Sequence, residues 1–264
     1  MGIPHRRLDY RMRTALIRGM TPNIRVSPHV SGTVGFRVLA IGDLHAPFMH
    51  PDAVEFLKCA KEELKPNRIV FLGDETDQHA LSQYQADPDG YSAGVEGQKA
   101  KEQLAPLYTM FPDARICESN HTERVYKKAF RAGIPSMYLR SYAEFLESPV
   151  GWQWQHKFVY DGVTYEHGEG VSGKTAAEKK MMANMGKTVI GHIHAHAGTY
   201  YFNNGVEQIW GMNAGCLIDS TQYAFKYAKH SIPKPILGVG FVDCGEPHFY
   251  PMRLDKNKRW TGKL

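Results

Sequence analysis

Five short stretches of this 264-residue chain end in the same kinds of side chain: Asp43-Leu44-His45, Gly73-Asp74, Asn120-His121, His167-Gly168 and Gly191-His192-Ile193-His194. Carboxylate, imidazole and amide oxygen are the donors that hard and borderline divalent cations take. A pair spaced by one residue at a strand end, such as Asp43/His45 or His192/His194, is expected to point both side chains the same way, because the strand period is two. One carboxylate bridging two ions, with three further donors on each, needs seven residues. Asp43, His45, Asp74, Asn120, His167, His192 and His194 supply that number. The mixed Asp, Asn and His set suits Mn²⁺, Fe or Zn²⁺ better than Ca²⁺. Two divalent ions are therefore expected, Mn²⁺ first, with Fe, Zn²⁺ or Ni²⁺ as alternatives.

Positioning these groups requires strands that stop at them. Residues 36–41 and 68–72 read as buried strands, each ending at Gly-Asp, with a helix over 51–64 between them whose Val54, Leu57, Cys59 and Ala60 face inward. This βαβ unit puts both carboxylates at the carboxyl edge of a sheet, where open α/β sheets bind ligands. Residues 114–118 read as a third strand ending at Asn120-His121. Residues 85–97 read as a loop, 98–110 as a helix interrupted by Pro106, and 123–132 and 137–147 as helices. The second half is richer in strands, at 157–166, 188–191, 199–202, 208–212 and 236–243.

The motifs, in this order, resemble those of the calcineurin-like metallophosphoesterase superfamily, in its compact phosphodiesterase and nuclease-like branch. That family runs Asp-x-His, Gly-Asp-x-x-Asp, Gly-Asn-His-Asp/Glu, a lone His, then Gly-His-x-His. This chain shows Gly42-Asp43-Leu44-His45, Gly73-Asp74-Glu75-Thr76-Asp77, Ser119-Asn120-His121-Thr122, His167-Gly168 and Gly191-His192-Ile193-His194, followed by Asn213-Ala214-Gly215-Cys216. The resemblance implies an α/β (α+β) fold: a four-layer αββα sandwich of two mixed sheets flanked by helices. Residues 1–35, rich in arginine and without clear periodicity, read as an N-terminal arm, and the rest reads as a single domain over 36–264 with a helical insertion around 121–150. One metal would take Asp43, His45, Asp74 and His194; the other would take Asp74, Asn120, His167 and His192. Two cations about 3.5 to 4 Å apart would lower the pKa of a bridging water and clamp phosphoryl oxygens for an in-line displacement, giving a hydrolase of phosphoric ester bonds. His121 falls outside the ligand set, and its place beside Asn120 suits a general acid for the leaving oxygen. Asp77 is read as orienting a ligand. In the third motif Ser119 replaces the usual Gly and Thr122 the usual acid, with Glu123 a candidate to take over that carboxylate's part.

Substrate is read from charge. Arg124, Lys127, Lys128 and Arg131 fall on one face of a helix just after His121, with Tyr126, Phe130 and Ile134 expected on the buried face. Such a face is either merely solvated or a rail for a polyanion, so DNA, RNA or a nucleotide is the expected phosphodiester, with a small phosphomonoester as the alternative. A small phosphodiester or phosphomonoester would instead lie in a pocket walled by 85–97 and the Lys174 loop. Gly168 to Thr175 also satisfies the phosphate-cradling G-x-x-x-x-G-K-T pattern. A P-loop nucleotide-binding protein lacks support downstream, because the next strand ends in Gly191-His192 rather than in a Mg²⁺-holding Asp. A non-catalytic scaffold on the same fold is the remaining alternative. The net charge of +5 permits an anionic substrate without requiring one. The four cysteines lack metal-site spacing and are read as reduced, and no stretch approaches a membrane span or a secretory signal, so the expected location is the cytoplasm.

Overall fold

The computed structural model describes residues 35–83, 87–203, 205–222 and 234–264. All of the expected N-terminal arm except Gly35 lies outside them. In chain order the elements are β1 (Arg37–Ile41), α1 (Ala53–Leu64), β2 (Arg68–Phe71), α2 (Ala93–Met110), β3 (Asp113–Cys117), α3 (Arg124–Arg131), α4 (Tyr142–Leu146), β4 (Gly151–Gln155), β5 (Lys157–Tyr160) and β6 (Val163–Glu166). There follow α5 (Ala176–Asn184), β7 (Thr188–Ile190), β8 (Gly198–Asn203), β9 (Gln208–Asn213), β10 (Gly238–Asp243) and β11 (Glu246–Pro251).

Two mixed sheets result, ordered β11-β10-β1-β2-β3-β4 and β5-β6-β7-β9-β8. In the first, β1 to β4 run parallel, β10 is antiparallel to β1 and β11 antiparallel to β10; in the second, β6, β7 and β9 are parallel between antiparallel edges. Alternation along β1 shows why the sheets stack. Val38 and Ala40 meet Val189, Trp210 and Met212 of the other sheet, while Leu39 and Ile41 meet Phe56, Leu57, Leu104 and Leu107 of α1 and α2. Each fully buried aliphatic side chain of this kind contributes about 1.5–3 kcal/mol, so the strands are held on both faces. Against the far sheet lies α5, with Ala176 and Ala177 on Ile190. The order of layers is helix, sheet, sheet, helix, as the resemblance implies. Among the described residues no helix is long and apolar enough to cross a membrane.

Several local expectations are corrected. Helix α2 starts at Ala93, inside the stretch read as a loop, because Ser92 caps it by accepting from Val95 N and Gly97 packs against Phe145. It runs through Pro106, whose exposed position leaves the carbonyl of Glu102 free for solvent. The expected helix over 137–147 is a turn at Ser136–Tyr138 followed by the five-residue α4, restarted by a Ser141/Glu144 capping box. The stretch 157–166 is a hairpin, turning at Asp161 and Gly162, both at positive φ. Strands β4 and β11 were not expected; β11 contains Pro247 and Pro251, which an edge strand tolerates. In α1 the buried residues are Ala53, Phe56, Leu57, Ala60 and Leu64, with Val54 and Cys59 only half-buried. The cysteines are free, Cys117 and Cys216 buried and Cys244 exposed.

The C-terminal segment is fastened to the start of α1 by Asp52, which accepts from Arg259 Nε at 2.8 Å, from Arg259 Nη2, and from Trp260 N at 2.9 Å. The Arg259 bond holds Asp52 down at about 2. Its folded value lies below the ordinary 3.8, so the clamp stabilises fully above that value and is lost as pH falls toward 2. Asp52→Asn should therefore lower the melting temperature by a few degrees at pH 7, and the gap from wild type should close by pH 2 in a calorimetric series. An unchanged gap at pH 2 would show that the clamp is not ionic.

Candidate metal centre

The carboxyl ends of β1, β2 and β3 in one sheet and of β6 and β7 in the other converge over one edge of the sandwich. All seven expected donors meet there. Asp43, His45, Asp74 and His194 place one donor atom each within 4.8 Å of one another, and Asp74, His167 and His192 do the same. Asn120 joins the second group, its Oδ1 2.9 Å from His167 Nε2. Asp74 belongs to both groups: its Oδ2 lies 3.4 Å from His167 Nε2 and 3.6 Å from His45 Nε2.

The convergence does not come from strand periodicity. Strand β1 ends at Ile41, and Asp43, His45, Asp74 and His192 all occupy the left-handed region, at φ 45, 52, 54 and 68. Such a conformation costs a non-glycine residue about 1–2 kcal/mol and persists where the surroundings over-determine it. Here they do. His45 N donates to Asp74 O at 2.8 Å, Asp74 N to Ser119 Oγ at 3.0 Å, and His192 N to both Asp43 oxygens at 2.9 and 3.0 Å. Two glycines give the room: a Cβ on Gly73, at φ 98, would lie 2.7 Å from Ser119 Cβ, and one on Gly191 would lie 2.5 Å from Asp43 Oδ2. Gly191→Ala is therefore expected to reduce bound metal several-fold with every ligand intact, measured by elemental analysis of the reconstituted protein. Full occupancy would mean that Asp43 can move without consequence.

The donor chemistry fits cations. His45 Nδ1 donates to Asp77 Oδ1 at 2.6 Å and His167 Nδ1 to the Leu72 carbonyl at 2.8 Å, so both rings turn an unprotonated Nε2 inward. Further nitrogens crowd the same points, with His45 Nε2 and His194 Nε2 3.2 Å apart and His192 Nδ1 and His167 Nε2 3.1 Å apart. Burial alone would raise the two carboxylates. The bond to His194 outweighs it at Asp43, and the surrounding imidazoles of His121, His167 and His45 do so at Asp74, which is held well below the usual range. Both are ionised and ready to ligate.

Asp77 touches His45 rather than filling a ligand position in either group. His121 also turns on Asp77, donating from Nδ1 to its carbonyl at 2.6 Å, while His121 Nε2 accepts from Arg124 Nη2 at 2.9 Å and lies 3.8 Å from Asp74 Oδ2. Burial pushes the ring down to about 3 despite Asp74 and Asp77, so it is neutral near pH 7. His45, Asp77 and His121 form a third convergent group.

The basic helix departs from the expected picture. Arg124 turns into the site, its Nη1 donating to the Asp77 carbonyl at 2.6 Å. Lys127 pairs with Glu123 at 2.6 Å, Lys128 reaches the Ala80 carbonyl at 3.4 Å, and Arg131 donates to Gln83 Oε1 at 3.1 Å. Tyr126 is buried as expected, but Phe130 is 69% and Ile134 45% exposed, since nothing among the described residues covers them. In the third motif the two unusual residues bond each other, Ser119 Oγ to Thr122 Oγ1 at 2.9 Å, and the Ser119 hydroxyl also receives Asp74 N. Their Ser-x-x-Thr spacing was the available signal. Lys174 is exposed, with its carbonyl accepting from Tyr200.

Three solved structures align over most of the chain. They are Vps29 from Chaetomium thermophilum (TM-score 0.41, 13% identity, 86% of this chain and 94% of that one), a single mutant of Vps29 from Entamoeba histolytica (0.39, 12%, 82% and 92%), and Vacuolar Protein Sorting 29 from Cryptosporidium parvum (0.39, 14%, 85% and 100%). At these scores and identities the likeness carries no argument about this chain. No family model matches the sequence, and no curated protein does either.

Proposed function

We propose that this chain is a cytoplasmic, dinuclear metal-dependent phosphoesterase whose substrates are phosphodiesters, nucleic acids or nucleotides among them. The observation that carries the reading is the Asp74 carboxylate, shared between two donor groups in which His45 and His167 are fixed with Nε2 inward. When bound, two divalent cations supply Lewis acidity toward phosphoryl oxygens and an activated water. The protein does the rest. Asp77 and the Leu72 carbonyl hold His45 and His167 in one tautomer, so the cluster is preorganised before substrate arrives. Arg124 holds a guanidinium beside His121 Nε2, and an anionic phosphoryl group is a better acceptor for it than an imidazole. Its transfer to the substrate frees Nε2, which can then take a proton from solvent and pass it to the leaving oxygen.

The test compares Mn²⁺-loaded protein against bis-p-nitrophenyl phosphate, p-nitrophenyl phosphate, cyclic nucleotides and single- and double-stranded DNA. Metal-dependent turnover with the diesters ahead supports the reading; full turnover after exhaustive chelation, or none on any ester, overturns it. For a polymer substrate, Lys127→Ala/Lys128→Ala/Arg131→Ala should raise KM for DNA roughly tenfold and flatten its salt dependence, with bis-p-nitrophenyl phosphate turnover nearly unchanged. Equal cleavage of DNA by the triple variant and wild type would remove the rail.

A further inference from the structure

Helix α3 leads out of the metal centre. It starts three residues after His121, with Arg124 turned into the site, and carries Phe130 about 9 Å further along its axis. Its outer end bears more than a lone ring. Gly133, at φ 70, turns the chain, Ile134 N donates to Ala129 O at 2.9 Å, and Tyr126 Oη donates to the Arg140 carbonyl at 3.1 Å. Residues 133–140 are therefore tied back to α3 at both ends. They leave Met137 82% and Tyr138 74% exposed, in addition to Phe130 and Ile134. Large apolar side chains so concentrated along one short stretch mark a surface that something covers.

The charges around them say what fits. Lys128 bonds the Ala80 carbonyl and Arg131 bonds Gln83 Oε1, both neutral acceptors, and neither cation forms an ion pair among the described residues. Arg124, Lys128 and Arg131, at i, i+4 and i+7, set a row of positive charge along the helix from the site to the patch. A row of cations matches successive phosphates, and bare rings match the flat faces of bases. In a duplex those faces are already stacked on one another; in a single strand they are free. A lipid surface or a second protein would use rings and cations too, but neither calls for a row that runs into the metal centre.

We propose, resting on the phosphodiesterase reading above, that the polymer this protein holds is single-stranded nucleic acid. Its bases stack on Phe130 and Tyr138 while its phosphates follow Arg131, Lys128 and Arg124 inward.

Binding to the full chain, with chelator present to prevent cleavage, tests this by fluorescence anisotropy at low salt. The probes are a labelled oligothymidylate, an abasic strand of the same length and a duplex of the same length. The oligothymidylate should bind roughly tenfold tighter than either of the others. Phe130→Ala/Tyr138→Ala should erase that advantage and leave the salt slope alone, whereas Lys128→Ala/Arg131→Ala should weaken all three probes and flatten the slope. Phe130→Trp should keep the affinity, and its added indole fluorescence should be quenched by the oligothymidylate and not by the abasic strand. Equal binding of the three probes, a double ring variant that binds like wild type, or an unquenched indole would overturn the proposal. So would a double ring variant that loses only binding to phosphatidylserine vesicles, or only self-association in sedimentation, since the patch would then belong to a membrane or to a second copy. Turnover of bis-p-nitrophenyl phosphate, an ester too short to reach Phe130, should be the same in the ring variants as in wild type. Should the oligonucleotide arms fail while that metal-dependent turnover persists, the single-strand proposal is lost and the phosphoesterase reading stands.

Discussion

Asp74→Asn is expected to lower turnover of bis-p-nitrophenyl phosphate by roughly 10³ or more and to reduce bound metal at both positions. No other candidate ligand belongs to both donor groups. The change keeps the shape but removes the charge, and it places an amide N–H₂ where one oxygen had faced the His45 and His167 nitrogens. Asp74 Oδ1 also accepts from His121 N at 3.3 Å, so the turn of the third motif loses a fixed point as well. His194→Ala and His192→Ala each touch one donor group and should each cost mainly one ion. Elemental analysis beside initial rates gives the comparison. Should Asp74→Asn retain two ions, or turn over like wild type, the shared-carboxylate reading is wrong.

His121→Ala should leave metal content near normal and lower turnover by roughly 10² to 10⁴. The geometry gives this prediction its edge, because His121 lies in a third convergent group with His45 and Asp77 and could instead be a ligand. Its Nδ1 donates to the Asp77 carbonyl, as His167 Nδ1 does to that of Leu72, but its Nε2 is occupied by the Arg124 guanidinium rather than turned toward a cation. Arg124→Ala distinguishes the partners: it should raise KM more than it lowers kcat, since it removes an anion contact and leaves the imidazole in place. Loss of an ion in His121→Ala, in proportion to the rate, would make His121 a ligand and leave the leaving group without its acid.

Much of the fold was readable because its signals are local. Residues 69–72 are apolar, Ile69 and Val70 are β-branched, and Gly-Asp follows, which is enough to place a buried strand and its end. The hairpin at Asp161-Gly162 also carried a local signal, the Asp-Gly pair, which a continuous apolar reading hides. Strand β11, by contrast, has two prolines and exists because β10 offers it an edge. Nothing within residues 246–251 announces that partner. Phe130 looked buried by helical phase, but phase says only which residues share a face, and packing decides whether anything covers that face.

The same division runs through the metal centre. The sequence alone determined the donor types, their order and the glycines beside them, since ligand chemistry follows from side-chain identity. Only the tertiary structure decided that donors from two sheets share one edge, because the stacking of β1 on β7 and β9 depends on contacts between distant segments. It also decided that four donors take left-handed backbone, a conformation their own propensities oppose and distant hydrogen bonds impose. The inward turn of Arg124 has the same origin: a guanidinium follows its acceptors, and the Asp77 carbonyl lies 47 residues away along the chain.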